Sequence, residues 1–370
     1  MLIVIGMSIV ALRYVIDGSC HGTVSRRLVI VDLAAVTFSL LFRHSDLFAE
    51  ILRLTLFLYT AQGVFFVLVL LAVGLRTVKR RFISPKSPFD RQRRRLLKRA
   101  VLYPAGALAA AGYGSFWENE HTVEREYQIP VAGLPENLRG FRLAQLSDVH
   151  LGSFCPLSKL KKLLEKTVSA RPDALVLTGD IFDDRALNDD AIALVGSYTD
   201  KFPQGIWYCH GNHEYFRGIR HIEAELRKTD IHVLINSAAV AVDGDRPLVF
   251  IGVDYPKHRD EERFLADKRD FLREAVTGVP PNAVMILLAH HPEYIDDAAE
   301  HNIPLTLTGH THGGQICLFG YPLFPIFKYN RGMIQTGDCY GYVHCGNGSW
   351  FPCRIGCPPE IAFFTLVRKA

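Results

Sequence analysis

The sequence predicts an α/β protein, with N-terminal transmembrane helices followed by a layered α/β domain. Three observations predict it. Leu54 to Leu75 is a long run without a single charge. From Phe141 onward, short apolar runs alternate with amphipathic stretches. The charge is also unevenly divided. Residues 1–99 carry 16 Lys+Arg against 5 Asp+Glu, and residues 100–370 carry 26 against 33. The formal net charge of +4 therefore averages a basic first part and an acidic remainder. A length of 370 residues with 49% hydrophobic residues excludes a disordered chain and a small disulfide scaffold. The acidic remainder argues against extended nucleic-acid binding.

Residues 1–75 hold three apolar stretches, so about three membrane helices are expected there. Leu54–Leu75 is the strongest, because crossing the hydrocarbon core takes about 20 residues. Met1–Leu12 and Leu28–Phe42 are shorter, and the second contains Asp32. Residues 76–99 follow as a basic linker with 11 Lys+Arg and the single acid Asp90. Pro85, Pro88 and interspersed serines predict a loop, and the positive-inside tendency predicts a cytoplasmic one. Residues 100–117 are a fourth uncharged segment, Ala/Gly-rich and only mildly hydrophobic. Arg93-Arg94-Arg95-Leu96-Leu97-Lys98 before it reads either as a twin-arginine export signal or as an ordinary basic flank. Both readings predict that residues 118–370 form an extracytoplasmic domain on a multi-pass protein of the cell membrane.

Within that domain five strand-like runs each end on potential metal ligands. FRLAQL leads into Asp148 and His150, ALVLT into Asp180, and GIWYC into Asn212 and His213. AVMILLA leads into His290 and His291, and IPLTLT into His310 and His312. Runs of this length rich in Val, Ile, Leu and Thr read as buried strands. Leu157–Ala170 and Glu261–Val276 between them have helical spacing. Open α/β sheets carry their sites beyond the carboxyl ends of strands, and five such endings in succession are hard to attribute to chance. Carboxylate, amide oxygen and imidazole without thiolate suit Mn, Fe or Zn. Seven candidate ligands are too many for one ion and suit two divalent ions sharing a carboxylate. Such a pair clamps a phosphate and turns water into hydroxide near neutral pH.

The motifs D-x-H, GD-x-x-D, GNHE, H-x-P and GHTH resemble those of the calcineurin-like metallophosphoesterases, in identity and in order, over about residues 140–367. The further matches Gly313-Gly314-Gln315 and Pro358 to Ile361 are similar to the membrane-anchored or exported bacterial phosphodiesterases of that superfamily. The resemblance implies a central two-sheet core. It also implies one metal on Asp148, His150, Asp180 and His312, and a second on Asp180, Asn212, His290 and His310. His290 is preferred to His291 because the family's ligand stands two before a proline, here Pro292. His213 would be the catalytic residue, protonating the leaving oxygen or stabilising charge on phosphorus. Asp183, Glu214 and Arg354 would act from around the metals or on substrate, Glu214 by orienting His213 and Arg354 by contacting a phosphate. His210, His221, His232, His258 and His301 lie off the motifs and read as loop or surface residues.

Cys339, Cys345, Cys353 and Cys357 fall close together and read as two disulfides, free thiols or, least of all, a zinc cluster. The expected function is a membrane-anchored phosphodiesterase or pyrophosphatase acting on an amphiphilic or lipid-linked phosphate. The expected partners are that phosphoester and the membrane. Three alternatives stand beside it. One is a UDP-2,3-diacylglucosamine hydrolase-like step of lipid A synthesis, which as a cytoplasmic reaction conflicts with the topology. The others are a metal-dependent protein phosphatase and a non-catalytic envelope protein.

Overall fold

A computed structural model describes residues 7–9, 11, 18–41, 48–82, 102–258, 260–349 and 351–369. The twin-arginine-like segment 93–98, most of the basic linker 76–99 and most of the first apolar run lie outside the described residues. The chain divides into two units, one of residues 1–120 with 351–355 and one of residues 121–350 with 356–370.

The first unit is helical. Gly18–Leu41 and Phe48–Phe82 are α-helices, and residues 102–112 form another that continues into a π-helical turn, Tyr113–Trp117. Among the described residues, one helical stretch, Ile51–Val73, is long and apolar enough to cross a membrane. Of the three crossings expected in residues 1–75, Leu54–Leu75 largely coincides with this stretch, and Met1–Leu12 lies mostly outside the described residues. Gly18–Leu41 is helical, but its charges Arg26, Arg27 and Asp32 interrupt the apolar run. The Asp32 carboxylate accepts a 2.6 Å hydrogen bond from the Gln62 amide, so its polar group is met by another helix. The helix Phe48–Phe82 also runs into the residues expected to begin the loop. Lys and Arg are good helix formers and are favoured near a helix C-terminus.

Among the described residues the second unit is built on two six-stranded sheets and a separate two-stranded pair, β10 Cys317–Leu318 with β11 Tyr321–Pro322. The first has the order β1-β14-β2-β3-β4-β5, where β1 is Val123–Val131, β2 Arg142–Leu146, β3 Ala174–Thr178, β4 Ile206–Cys209, β5 His232–Val233 and β14 Glu360–Arg368. The second has the order β12-β13-β9-β8-β7-β6, where β6 is Ser237–Val242, β7 Leu248–Gly252, β8 Val284–Leu288, β9 Leu305–Thr308, β12 Gly332–Thr336 and β13 Cys339–Val343. Strands β2 to β5 are parallel, and so are β7, β8 and β9. The carboxyl ends of the five motif-bearing strands therefore lie along one edge of each sheet.

Period-two alternation is absent from the central strands because both their faces are buried. In β2, Leu143 faces the core between the sheets with Val176, Trp207, Phe250, Ile286 and Leu307. Its neighbours Ala144 and Leu146 face the opposite way, toward Leu160, Leu163 and Leu164 of helix Leu157–Ser169. On the second sheet, Val249, Ile251 and Leu287 pack against Leu272 and Ala275 of helix Glu261–Ala275. Asp260 caps that helix by accepting from the Arg263 backbone N–H. The result is four layers, helix, sheet, sheet and helix, with one core between the sheets and one under the helices on each side.

Candidate metal centre

The five strand ends bring their ligand-type side chains to one place. His290 Nε2 lies 3.2 Å from Asp180 Oδ2, and His150 Nε2 lies 3.6 Å from the same oxygen. His312 Nε2 is 3.5 Å from Asp148 Oδ1 and 2.9 Å from His150 Nε2. His310 Nδ1 is 3.1 Å from His290 Nε2. Ligand atoms of Asp148, His150 and His312 lie within 4.8 Å of one another, and so do those of Asp180, His290 and His310. A further such group joins His150 and Asp180 to His213.

The backbone delivers these atoms by sharp turns at the strand ends. Asp148, His150, Asp180, His310 and His312 all have positive φ, of 51°, 46°, 53°, 72° and 50°. Non-glycine residues rarely adopt that region, and where they do the strain often marks function. The glycines of the motifs answer to close approach. A Cβ at Gly211 would strike the Asp180 carboxylate, and one at Gly309 would strike the Ser147 hydroxyl and the Asp148 carboxylate.

The donor set fits divalent cations. His290 Nδ1 is held 2.7 Å from the Thr178 carbonyl, and His150 Nδ1 is held 2.9 Å from Asp183 Oδ2. With Nδ1 donating there, each ring turns its Nε2 toward the cluster, the orientation metal-binding histidines use. Asn212 Oδ1 is buried without a hydrogen-bond partner. A buried amide oxygen left that way costs free energy unless a cation or donor meets it. Carboxylates, imidazoles and an amide oxygen without a thiolate are a set for borderline or hard ions.

The same proximity moves the titrations. Burial works against the Asp180 charge, but His290 and His150 hold it well below the usual carboxylate range. Burial raises Asp148, so the two carboxylates are driven apart. His290 is buried too, yet Asp180 raises it to about 10. Burial and the charge on His290 lower His310 well below its ordinary value. His291 is lowered to about 3 by burial, His290 and Lys268, and its Nδ1 accepts from the Glu293 backbone N–H at 3.3 Å. His290, rather than His291, faces Asp180.

Asp183 holds His213 as well as His150, its Oδ2 lying 2.8 Å from His213 Nδ1. Arg217 Nε donates to Asp183 Oδ1 at 2.7 Å. Glu214 does not orient His213. Its carboxylate instead accepts the backbone N–H groups of Asp180, Ile181, Phe182 and Gly211, which fixes the turn after β3. Burial opposes a charge on His213, but the Asp183 hydrogen bond and the Asp180 charge raise the imidazole above its ordinary value. Arg354 is fully buried and falls in the first unit, its backbone N–H donating to the Gly114 carbonyl.

Some residues were missed by sequence reasoning. His210 is fully buried rather than a surface residue, and its Nδ1 lies 3.3 Å from Asp254. Tyr215 Oη donates to the same carboxylate at 2.5 Å. The position of Tyr215 inside GNHEY was the available signal. Tyr255, Phe264 and Phe327 line the histidines of β8 and β9, with Phe327 5.1 Å from the His310 ring and Phe264 4.9 Å from His291. Cys339 and Cys345 are free thiols, so the two disulfides expected among the four late cysteines do not form. Cys345 and Cys357 instead pack with Cys317, a residue outside that group, behind the His312–Gly313 turn.

Residues 141–314 match the family model described as calcineurin-like phosphoesterase. An uncharacterized metallophosphoesterase of Aquifex aeolicus is 30% identical over 66% of this chain and 91% of that protein. The phosphodiesterase YaeI of Escherichia coli is 28% identical over 64% of this chain and 86% of that protein. A transmembrane protein with metallophosphoesterase domain from Danio rerio is 29% identical over 65% of this chain. The match spans only 56% of that longer relative.

Proposed function

The chain belongs to the calcineurin-like metallophosphoesterases, hydrolases of phosphoric esters, and from that premise we propose a membrane-side phosphodiesterase acting on an amphiphilic or lipid-linked phosphate. The observation that carries the hydrolytic reading is the convergence of two ligand groups, with the Asp180 carboxylate against His150 of one and His290 of the other. We assign one divalent ion to Asp148, His150, Asp180 and His312, and a second to Asp180, Asn212, His290 and His310. Mn, Fe and Zn all suit these donors. When bound, such ions neutralise phosphate charge and make water a better nucleophile.

The remaining work falls to the chain itself. Asp183 accepts from Nδ1 of both His150 and His213, fixing one as a ligand and the other as a proton carrier. With Nδ1 so engaged, the second proton of the His213 imidazolium sits on Nε2, available to a leaving alkoxide. The Asp183 hydrogen bond and the Asp180 charge raise its pKa and so favour the protonated form. Glu214 secures the turn that carries Asp180. The test is reversible. Protein stripped of metal should lose hydrolysis of a chromogenic phosphodiester and recover it with Mn²⁺. Undiminished activity in chelator would refute the metal-dependent mechanism.

Two observations support the membrane part of the proposal. Ile51–Val73 is a candidate span. The E. coli and zebrafish relatives are named for diester cleavage and for a transmembrane chain. The basic residues of 76–99 favour a multi-pass topology with the catalytic unit outside the cytoplasm. A C-terminal reporter active only in the cytoplasm would reverse that orientation.

A further inference from the structure

The loop that leaves the last ligand pair is the most apolar exposed surface of the second unit. Eight large apolar side chains are exposed among that unit's described residues, and six of them lie within residues 318–326. They are Leu318, Phe319, Tyr321, Leu323, Phe324 and Ile326, against only Phe216 and Val240 elsewhere. Phe319 is 93% exposed, Ile326 81% and Tyr321 76%. Scattered exposed apolar residues are ordinary, but contiguous clusters mark interaction sites. Residues 318–327 contain no charge, and Lys328 follows at once.

The local backbone sharpens the point. Cys317–Leu318 and Tyr321–Pro322 pair as a two-residue antiparallel hairpin with Phe319 and Gly320 at its apex. Both apex residues have positive φ, 53° and 85°. Such turns favour Asn, Asp and Gly, whose side chains tolerate that region. A phenylalanine there is disfavoured by its backbone and gains no burial within the chain. Its benefit must come from outside. Both ends of the loop return to the metal centre. It starts six residues after His312, and Phe327 just past its far end packs against the His310 and His291 rings.

We propose that this hairpin loop, residues 318–326, docks into the interfacial region of a lipid bilayer and so holds the mouth of the metal centre at the membrane surface. The occupant is taken as lipid for two reasons. The same chain carries the candidate span Ile51–Val73, so a bilayer is a surface to which the chain itself is tied. The patch also has the pattern of an interfacial anchor, with Phe, Leu, Ile and Tyr beside Lys328, which is exposed at its edge and paired with the Asp296 carboxylate at 2.8 Å. The inference deepens the proposed function, since a loop joined at both ends to the ligands would present lipid-borne phosphates to them.

Docking can be measured without catalysis. The full chain would be reconstituted in phosphatidylcholine–phosphatidylglycerol vesicles as wild type, Phe319→Trp, Ile326→Trp and Val240→Trp. With brominated acyl chains, the emission added at 319 or 326 should fall about twofold or more, as expected for rings at the headgroup–acyl boundary. Emission added at Val240, exposed on the edge strand β6, should persist. Emission at 319 and 326 that bromolipid leaves intact overturns the proposal. Quenching by aqueous iodide would then place the loop in water, and protection from iodide would place it under a second copy or another protein. Loss of diester hydrolysis with bromolipid quenching retained would sink the enzymatic reading alone.

Discussion

The two sides of the metal centre solve the same problem with different chemistry. At the ends of β2, β3 and β4, imidazoles are interleaved with the carboxylates of Asp148, Asp180, Asp183 and Glu214. At the ends of β8 and β9, His290, His291 and His310 gather among Tyr255, Phe264 and Phe327, and the carboxylate beside His290 comes from β3. On the first side His213 is raised above its ordinary pKa. On the second, one imidazole, His290, keeps a proton while His291 and His310 are held neutral. Crowded histidines divide their charge according to which one reaches a carboxylate. A proton donor is therefore expected on the carboxylate-rich side, while on the imidazole-rich side an arriving cation has to displace the His290 proton.

Removing the shared group should collapse the distinction. Asp180→Asn is expected to lower kcat/KM for a phosphodiester by on the order of a thousandfold, with metal content falling in parallel. Full activity with full metal content would show that the sides do not share it. Asp183→Asn should act on the first side alone, costing about 10–100-fold. It should also move the alkaline limb of the pH–rate profile to lower pH. His213 must be protonated to donate, its pKa is raised by Asp183, and losing that partner lets it deprotonate sooner. A rate loss with an unmoved limb would assign Asp183 to His150 only.

The second side is probed by protons rather than rates. In metal-free protein His290 holds its proton up to about pH 10, so an ion must displace it. Affinity for Mn²⁺ should therefore rise with pH through neutrality, by up to about tenfold per unit, and calorimetry in buffers of different ionisation enthalpy should report proton release. The smallest effect is expected at Tyr215→Phe, which leaves the buried Asp254 carboxylate one donor short. We expect a stability loss of about 1–3 kcal/mol in chemical denaturation, with metal content unchanged.

Much of the centre was legible because strand-end chemistry is local. Each motif places ligand types within two or three residues of an apolar run, and both the strands and the ligand chemistry can be read from such a window. What was illegible depends on residues far apart. Nothing in spacing links His210 and Tyr215 to Asp254, about 40 positions on, and β14 enters between β1 and β2 only after the whole domain has passed. Glu214 was misassigned for a related reason. Its neighbour in sequence is His213, but two buried turns, with three open N–H groups after β3 and one after β4, are the stronger claim on a carboxylate. The cysteines misled because closeness along the chain is not closeness in space. Cys317 is 28 residues before Cys345, yet it joins Cys345 and Cys357, while Cys339 stays apart on β13.

The left-handed turns at Asp148, His150, Asp180, His310 and His312 carry a further implication. A non-glycine residue held there costs about 1–3 kcal/mol, and a domain of ordinary stability has only about 5–15 kcal/mol in hand. Five such positions are a heavy load for a fold to bear. A sequence shaped for stability alone would carry glycine or asparagine at each of them. That all five are Asp or His sets the chemistry of those side chains ahead of the stability of the fold.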